Sequence, residues 1–248
     1  MDINEIARRA GVSRATVSRY LNDGYVSQEK RELIGHIIDE TGYVPSQHAQ
    51  SLRTGKTRLV GVIIPRLNSE SVNRMVNGIT KVLERKGYQV ILGNTNNDEK
   101  LEVDYLTMFS ERNKVDGVIL IATVFTPAHK QAMAAINVPV VVLGQELPGH
   151  SCVFQDDYHA VYDLTQQVLR TSKQPAFIGV LENDISAGKM LHTGFLDACR
   201  DAGVEPAPGA TVIGDFSVDA GFSCTEQLLD TVPGVDAIIC ATDIIAFG

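Results

Sequence analysis

Cysteine is scarce in this sequence of 248 residues, and its four occurrences are far apart. They are Cys152, Cys199, Cys224 and Cys240, and no two of them form a CxxC pair. The six histidines are scattered in the same way. This spacing favours small buried hydrophobic side chains over a redox centre or a metal site. We therefore expect no metal ion and no cofactor.

Long apolar runs and enzyme motifs are also missing. No stretch approaches the roughly 18 apolar residues of a membrane span, and the opening MDINEIARRA contains no apolar signal region. A cytoplasmic protein is expected. The GKT run at 55–57 has Gln50 where a phosphate-binding loop requires glycine. Since a nucleophile elbow, a metal-ligand cluster and a paired acid and base are lacking as well, we do not expect an enzyme.

Basic residues are in the minority overall but not at the N-terminus. Residues 1–58 contain nine Lys and Arg against seven Asp and Glu, whereas residues 59–248 contain 13 against 23. The net charges are therefore +2 and −10. The acidic bulk argues against a nucleic-acid surface spread over the whole molecule, but a mildly basic N-terminal arm is compatible with one.

From residue 59 onward, short β-rich runs alternate with segments of helical periodicity. The runs are LVGVII, YQVILGN, DGVILIA, VPVVVLG, PAFIGVL, ATVIGDF and DAIICAT. Near-continuous apolar strands alternating with amphipathic helices predict parallel sheet covered on both faces. Such sheets bind ligands where strands end and helices begin.

The first 58 residues have a different pattern, with helices joined by very short turns. The predicted helix boundaries are caps at Asp2, Ser13 and Ser27, a left-handed Gly11 after the first helix and an end of the third near Gly42. We expect the third helix to contribute Leu33, Ile37 and Ile38 to a three-helix core. The tight turn between the first two helices is typical of a helix-turn-helix.

The second helix starts at a serine cap and presents polar side chains from its first turns, as a recognition helix does. The residues predicted to contact DNA are Arg14, Ala15, Thr16, Ser18, Arg19 and Asn22. Arginines reach guanine edges or phosphates, hydroxyls donate to phosphates and an alanine touches a thymine methyl group. For this helix in isolation, a solvated surface helix that happens to carry arginines is the alternative.

INEIARRAGVSRATVSRYLN, followed by GYVS and by GYVPSQHAQSLRTGKTRLVGVI, resembles the lactose/galactose repressor family over the entire chain. The resemblance implies an all-α helix-turn-helix headpiece (1–45), a hinge helix and linker (46–58), and an α/β core. That core consists of two doubly wound parallel-sheet, periplasmic-binding-protein-like subdomains, 59–155 and 156–248. It also implies a repressor of a carbohydrate operon that acts as a homodimer on palindromic operator DNA and binds a sugar or sugar-phosphate effector.

The family's hinge helix forms on operator DNA and wedges a leucine into the minor groove. Here that leucine is Leu52, with Ala49 one turn earlier and Ser46 as the helix cap. About eight residues do not hold a helix alone in water, but bent DNA can order a paired hinge. A plain polar linker with one stray leucine is the alternative.

The loop PRLNSES connects the first core strand to a helix, which places Ser69 and Ser71 near helix-terminal amides, with Arg66 beside them. That combination suits an anion. The loop is similar to that of trehalose repressors, in which an Arg-Leu-Asx-Ser run helps to hold a sugar phosphate. A surface ion pair of Arg66 is the alternative.

The same resemblance implies effector contacts from Asp156, Phe216 and Asp243. The family usually has an arginine in the segment SAGKMLHTGF that pairs with sugar hydroxyls, and Leu191 occupies that position here. Either Lys189 or His192 substitutes for it, or the ligand differs.

The family core normally runs some tens of residues past CATDIIAFG, so we expect the C-terminal subdomain to be incomplete and the chain to be a fragment. Two other functions compete with a repressor. The core alone would permit a solute-binding protein without DNA activity, and a sugar-processing enzyme also uses α/β cores.

Overall fold

The computed structural model describes residues 2–43, 55–111, 114–121 and 124–248. The chain divides into two compact units, Met1–Leu59 and Val60–Gly248.

Over its described residues, the first unit contains three helices, α1 (Ile3–Arg9), α2 (Arg14–Tyr20) and α3 (Gln28–Thr41). Asp2 caps α1 by accepting a hydrogen bond from the Glu5 amide at 2.9 Å. Gly11 adopts a φ of 61° in the turn, where a left-handed backbone favours glycine. Gly42 ends α3 in the same conformation. The predicted turns of the helix-turn-helix are therefore present.

Two details of α3 differ from the prediction. Leu33 is exposed, whereas Ile34 and Ile37 are buried among α1 and α2, with Ile38 partly buried beside them. Ile37 and Ile38 therefore contribute to the core as predicted, but Ile34 takes the place expected for Leu33. Ile34 lies three residues before Ile37 and shares its side of the helix. Ser27 occupies the cap position but its side chain makes no capping hydrogen bond.

Within the described residues, the second unit contains a five-stranded and a three-stranded sheet. The strand order of the first sheet is β2-β1-β3-β4-β5. Its strands are β1 (Leu59–Ile64), β2 (Gln89–Asn94), β3 (Gly117–Leu120), β4 (Val140–Leu143) and β5 (Ser151–Val153), and its helices are α4 (Glu70–Arg85), α5 (Glu99–Glu111) and α6 (Pro127–Ala135). β3 pairs in parallel with both β1 and β4, and β4 pairs in parallel with β5.

The second sheet has the order β7-β6-β8, and both pairings are parallel. Its strands are β6 (Pro175–Gly179), β7 (Thr211–Ile213) and β8 (Ala237–Cys240). Its helices are α7 (Asp157–Val168), α8 (Leu191–Asp201), α9 (Val218–Thr231) and α10 (Asp243–Phe247), and a π-helical turn (Ile185–Met190) leads directly into α8.

The predicted α/β core of parallel sheets is confirmed. β1 is buried at every position after Leu59, and β6 is buried throughout, as expected for strands covered on both faces. The strand order reverses at β1, which lies between β2 and β3, and at β6, which lies between β7 and β8. Parallel sheets bind ligands at the carboxyl ends of strands where the order reverses. None of the described helices combines the length and apolar content needed to cross a membrane.

Candidate DNA-binding helix and effector cleft

The recognition helix α2 is held at its start by Ser13. The Ser13 hydroxyl accepts a hydrogen bond from the Thr16 amide at 3.2 Å and lies 3.0 Å from the Thr16 hydroxyl. Val17 is completely buried in the three-helix core. Because Val17 fixes which side of α2 faces inward, Arg14, Ala15 and Arg19 are exposed, while Thr16 and Ser18 are half-buried. These predicted DNA contacts thus lie on a short helix fixed at its first turn.

The end of α2 is closed by Asn22, which we predicted to contact DNA. Its side-chain amide donates to the Ser18 carbonyl oxygen, and the Arg19 carbonyl accepts from the Gly24 amide at 2.8 Å. Part of Asn22 is therefore committed to ending the recognition helix. The predicted hinge contacts, Ala49 and Leu52, lie outside the described residues, as does Ser46.

In the core, the loop that carries Arg66 is anchored at its base. The Ile64 carbonyl accepts from both the amide and the hydroxyl of Thr95, at 3.0 and 3.2 Å, and the Pro65 carbonyl accepts from the Asn97 amide at 2.8 Å. These bonds tie the end of β1 to the loop after β2. The backbone that presents Arg66 is thereby fixed.

The Arg66 guanidinium stacks on Phe216, with Cζ 3.7 Å from the ring centroid. Burial lowers the Arg66 pKa, while the nearby carboxylates of Asp184 and Asp215 partly raise it. The guanidinium keeps its charge at neutral pH, because an arginine pKa lies far above that range. Among the described residues, Arg66 makes no hydrogen bond or ion pair. A surface ion pair, the alternative drawn from the sequence, is therefore not found in this part of the chain.

Ser69 and Ser71 lie at the start of α4, as predicted. The Ser69 hydroxyl caps the helix by accepting from the Val72 amide at 3.4 Å, and it lies 3.0 Å from the Ser71 hydroxyl. Ser69 is half-buried and Ser71 is exposed. The two hydroxyls and the first amides of a 16-residue helix thus follow Arg66 within a few positions.

The side chain of Asp156, a predicted effector contact, makes hydrogen bonds within its own helix. It caps α7 by accepting from the His159 amide at 3.2 Å, and its other oxygen lies 2.7 Å from His159 Nδ1. The backbone hydrogen bond is the main cause of its lowered pKa. The next residue, Asp157, is half-buried, and burial raises its pKa although it accepts a hydrogen bond from the Ser186 hydroxyl.

The segment SAGKMLHTGF begins within the π-helical turn, and Asp184 caps that turn. Asp184 is buried, accepts from the Ala187 amide at 2.9 Å and has a pKa raised by burial. Gly188 packs so closely that a Cβ there would lie 2.2 Å from the Leu181 carbonyl oxygen. Lys189, a predicted effector contact, is exposed at the end of this turn. π-Helical turns inside helices recur at functional sites.

Leu191 and His192 both belong to the packing of the second sheet. Leu191, at the position of the family's arginine, is buried in a cluster with Phe177 and Phe195. His192 stacks on Phe177 with ring centroids 5.4 Å apart, and its Nδ1 lies 2.7 Å from Glu182. The partners of His192 thus lie in the second sheet's subdomain. Lys189 and His192 both stay predicted substitutes for the family's arginine, with a different ligand as the alternative.

Asp243 is exposed at the first position of α10, where it accepts from the Ile244 amide at 2.8 Å. Its charge also helps, after that of Glu70, to raise the pKa of Arg74 on α4. Asp243, which follows β8 of the second sheet, thus lies near α4 of the first sheet.

Sequence reasoning missed Asp157, Asp184 and Asp215. Their only local signal is position, since Asp157 and Asp184 stand at the starts of helical segments and Asp215 follows β7. What brings Asp184 and Asp215 toward Arg66 is tertiary structure.

A helix-turn-helix joined to two parallel sheets, with charged and hydroxyl groups near their carboxyl ends, defines a DNA-binding regulator with a ligand-binding core. The chain belongs to the LacI family. The model of bacterial regulatory proteins of the lacI family matches residues 2–46. The model of periplasmic binding proteins and sugar binding domains of that family matches residues 57–248. The predicted family, fold class and class of function are confirmed.

The chain is 38% identical to the sucrose operon repressor of Staphylococcus xylosus over 99% of its own length and 76% of that protein. Among solved structures, a LacI-family regulator from Silicibacter pomeroyi matches with a TM-score of 0.80 and 27% identity, over 100% of this chain and 75% of that one. The trehalose repressor from Escherichia coli matches with a TM-score of 0.68 and 25% identity, over 76% of this chain and 71% of that one.

Proposed function

We propose that this regulator represses a carbohydrate operon as a homodimer on a palindromic operator, and that its effector is a phosphorylated sugar. In this proposal residues 1–45 bind the major groove, 46–58 form the hinge, and the effector lies between subdomains 59–155 and 156–248. Dimerisation is required because one headpiece contacts too little DNA for useful specificity, and two-fold operators mirror two-fold proteins.

The proposal of a phosphorylated effector depends on the surroundings of Arg66. It is a half-buried cation that makes no ion pair with any described residue. A guanidinium stacked on a ring still offers the N–H groups of its edge, and that edge matches two phosphate oxygens. Ser71 and the start of α4 add hydroxyl and amide donors beside it.

Carboxylates near Arg66 are suited to bind the sugar hydroxyls of such a ligand. Asp184 and Asp215 lie near enough to Arg66 to influence its pKa, and Asp157 lies beside Ser186 in the same subdomain. Carboxylate oxygens accept hydrogen bonds from sugar hydroxyls. We propose that they, with Lys189, Asp156 and Asp243, replace the hydroxyl-binding arginine that Leu191 removes.

The names of the relatives agree with a carbohydrate effector. The matched proteins include repressors named for sucrose and trehalose. We therefore propose a disaccharide phosphate as the first ligand to test.

The test is calorimetric titration of the protein with sucrose 6-phosphate, trehalose 6-phosphate and the two unphosphorylated sugars. A charge-assisted contact contributes about 1.5–3 kcal/mol, so Arg66→Ala should weaken a true sugar-phosphate effector by roughly ten- to a hundredfold. The same variant should leave a neutral sugar nearly unaffected. Arg85→Ala is the matched control, because Arg85 lies at the opposite end of α4.

Equal affinity for a sugar and its phosphate, or normal phosphate binding by Arg66→Ala, would show that the anion site is wrong. A gel-shift assay with DNA from upstream of the protein's own gene, with and without these sugars, tests the repressor itself. Failure to bind that DNA while binding sugar would favour a solute-binding protein.

A further inference from the structure

Arg66 and Phe216 come from different sheets of the core. Arg66 follows β1 of the first sheet, and Phe216 lies between β7 and α9 of the second. Their stacking, with Cζ 3.7 Å from the ring centroid, therefore links the two sheets directly. A planar cation over an aromatic face is attractive, and more so when it is partly desolvated, as Arg66 is.

Both ends of this link are rigid. On the Arg66 side, Ile64 and Pro65 are held through their carbonyls by Thr95 and Asn97. Rigid ends make the geometry of the stack a property of the fold rather than of a loose side chain.

On the Phe216 side, the Gly214 amide donates to the Gly179 carbonyl at 2.9 Å, and the Phe216 amide donates to Asp215 Oδ1 at 2.7 Å. Ser217 then caps α9 by accepting from the Ala220 amide at 3.1 Å. The Phe216 side chain also packs against the core of the second sheet, which fixes it further.

We infer that the Arg66–Phe216 stack is a latch that holds the two sheets together before effector binds, and that Phe216 is the positioning residue for Arg66. The resemblance alone assigned Phe216 to the sugar as a pocket aromatic. The geometry also places one face of its ring against the Arg66 guanidinium. Fixing the guanidinium plane also saves the cost of ordering a long side chain when the ligand arrives.

The effector side of this inference rests on the proposed function. A phosphate bound at the edge of Arg66 would meet a guanidinium whose plane is already set, so binding adds to the contacts that hold the two sheets together. A neutral sugar that does not reach Arg66 would gain nothing from the latch. Phe216 thereby contributes to the choice of an anionic ligand without touching its phosphate.

A double-mutant cycle on the unliganded full chain tests the latch. Arg66→Gln removes the cation, and Phe216→Leu removes the aromatic face while keeping an apolar side chain. Arg66→Gln should change the unfolding equilibrium constant by about three- to thirtyfold in the wild-type background and by much less in the Phe216→Leu background. Urea titration measures all four proteins.

Two further variants are matched controls. Phe216→Tyr retains the ring face and should retain the coupling. Phe222→Leu alters an exposed phenylalanine on α9 of the same sheet and should show no coupling to Arg66. Additive effects in the Arg66 and Phe216 cycle would overturn the latch.

Small-angle scattering measures the radius of gyration, which would not change if the Arg66–Phe216 stack had only a local packing role. Arg66→Gln and Phe216→Leu should each increase the radius of gyration of the unliganded protein, and Phe216→Tyr should not. If Phe216→Leu fails to fold, the scattering of Arg66→Gln decides, and an unchanged radius contradicts the latch.

The same variants separate the latch from the effector assignment. Binding of sucrose 6-phosphate or trehalose 6-phosphate should weaken in Phe216→Leu and recover in Phe216→Tyr. If neither phosphate binds the wild-type protein, the proposed effector is wrong. The latch is then tested by the double-mutant cycle alone. If phosphates bind and the cycle is additive, the latch is wrong and the proposed function stands.

Discussion

His129 Nε2 lies 3.0 Å from the Glu102 carboxylate, and both side chains are almost completely removed from solvent. The Thr126 amide donates to His129 Nδ1, so the imidazole proton is on Nε2 and is donated to Glu102. The other Glu102 oxygen lies 3.4 Å from the Thr95 hydroxyl. This network joins α5 and α6 to Thr95, whose amide and hydroxyl hold the end of β1 just before Arg66.

Removing one partner of that pair should be costly. His129→Leu leaves the buried Glu102 side chain without its Nε2–H donor, and an unsatisfied buried acceptor costs about 1–3 kcal/mol of unfolding free energy. Urea denaturation followed by circular dichroism measures the change. Arg200→Ala, which removes an exposed ion pair with Asp197, is the control and should cost less than about 1 kcal/mol. An effect of His129→Leu no larger than that of the control would contradict the role given to this network.

Arg19→Ala should relax base preference at one operator position. Arg19 is exposed on the recognition helix, and if it reads a guanine its loss costs about 1–3 kcal/mol at that position. Binding-site selection measures the preference, with Lys130→Ala on α6 as a control that should change nothing. An unchanged preference with a shallower salt dependence would identify Arg19 as a phosphate contact.

Leu52→Ala should weaken operator binding while leaving effector affinity intact. A hinge leucine acts only when it is wedged into bent DNA, so its loss does not reach the sugar site. Gel-shift titration and calorimetry on the same preparation compare the two affinities. Equal loss of both would place Leu52 in the core instead of the hinge.

Gly188→Ala should destabilise the second sheet's subdomain. The new Cβ would lie 2.2 Å from the Leu181 carbonyl oxygen, which is backbone and moves only with the turn. Overpacking of this kind typically costs about 1–3 kcal/mol. Gly78→Ala on α4 meets no atom within 4 Å and should be neutral or stabilising by up to about 1 kcal/mol. Equal stability of the two variants in thermal unfolding would contradict the close packing at Gly188.

Local chemistry made much of the fold predictable. Ser13 as a cap and Gly11 in a left-handed turn are found as expected, because both depend on a few neighbouring residues. The seven predicted strands are all present, but β5 was missed. It has three residues, two of them exposed at the sheet edge, and therefore lacks a continuous apolar run.

The candidate site was less predictable. The sequence singled out Arg66 through its loop, and the structure places that loop at the end of β1. It did not indicate that Leu191, which follows a π-helical turn, packs into the core with Phe177 and Phe195. The predicted burial of Leu33 was also wrong, since the buried residue is its neighbour Ile34.

The class of this protein follows from residue patterns alone: helix caps and tight turns define the headpiece, and alternating apolar strands and helices define the parallel core. These signals are local, and hydrophobic periodicity repeats within each element. The partners of Arg66, in contrast, depend on how the chain packs. Phe216 lies 150 positions away along the chain, and its ring reaches the guanidinium because two separately formed sheets bring their strand ends together.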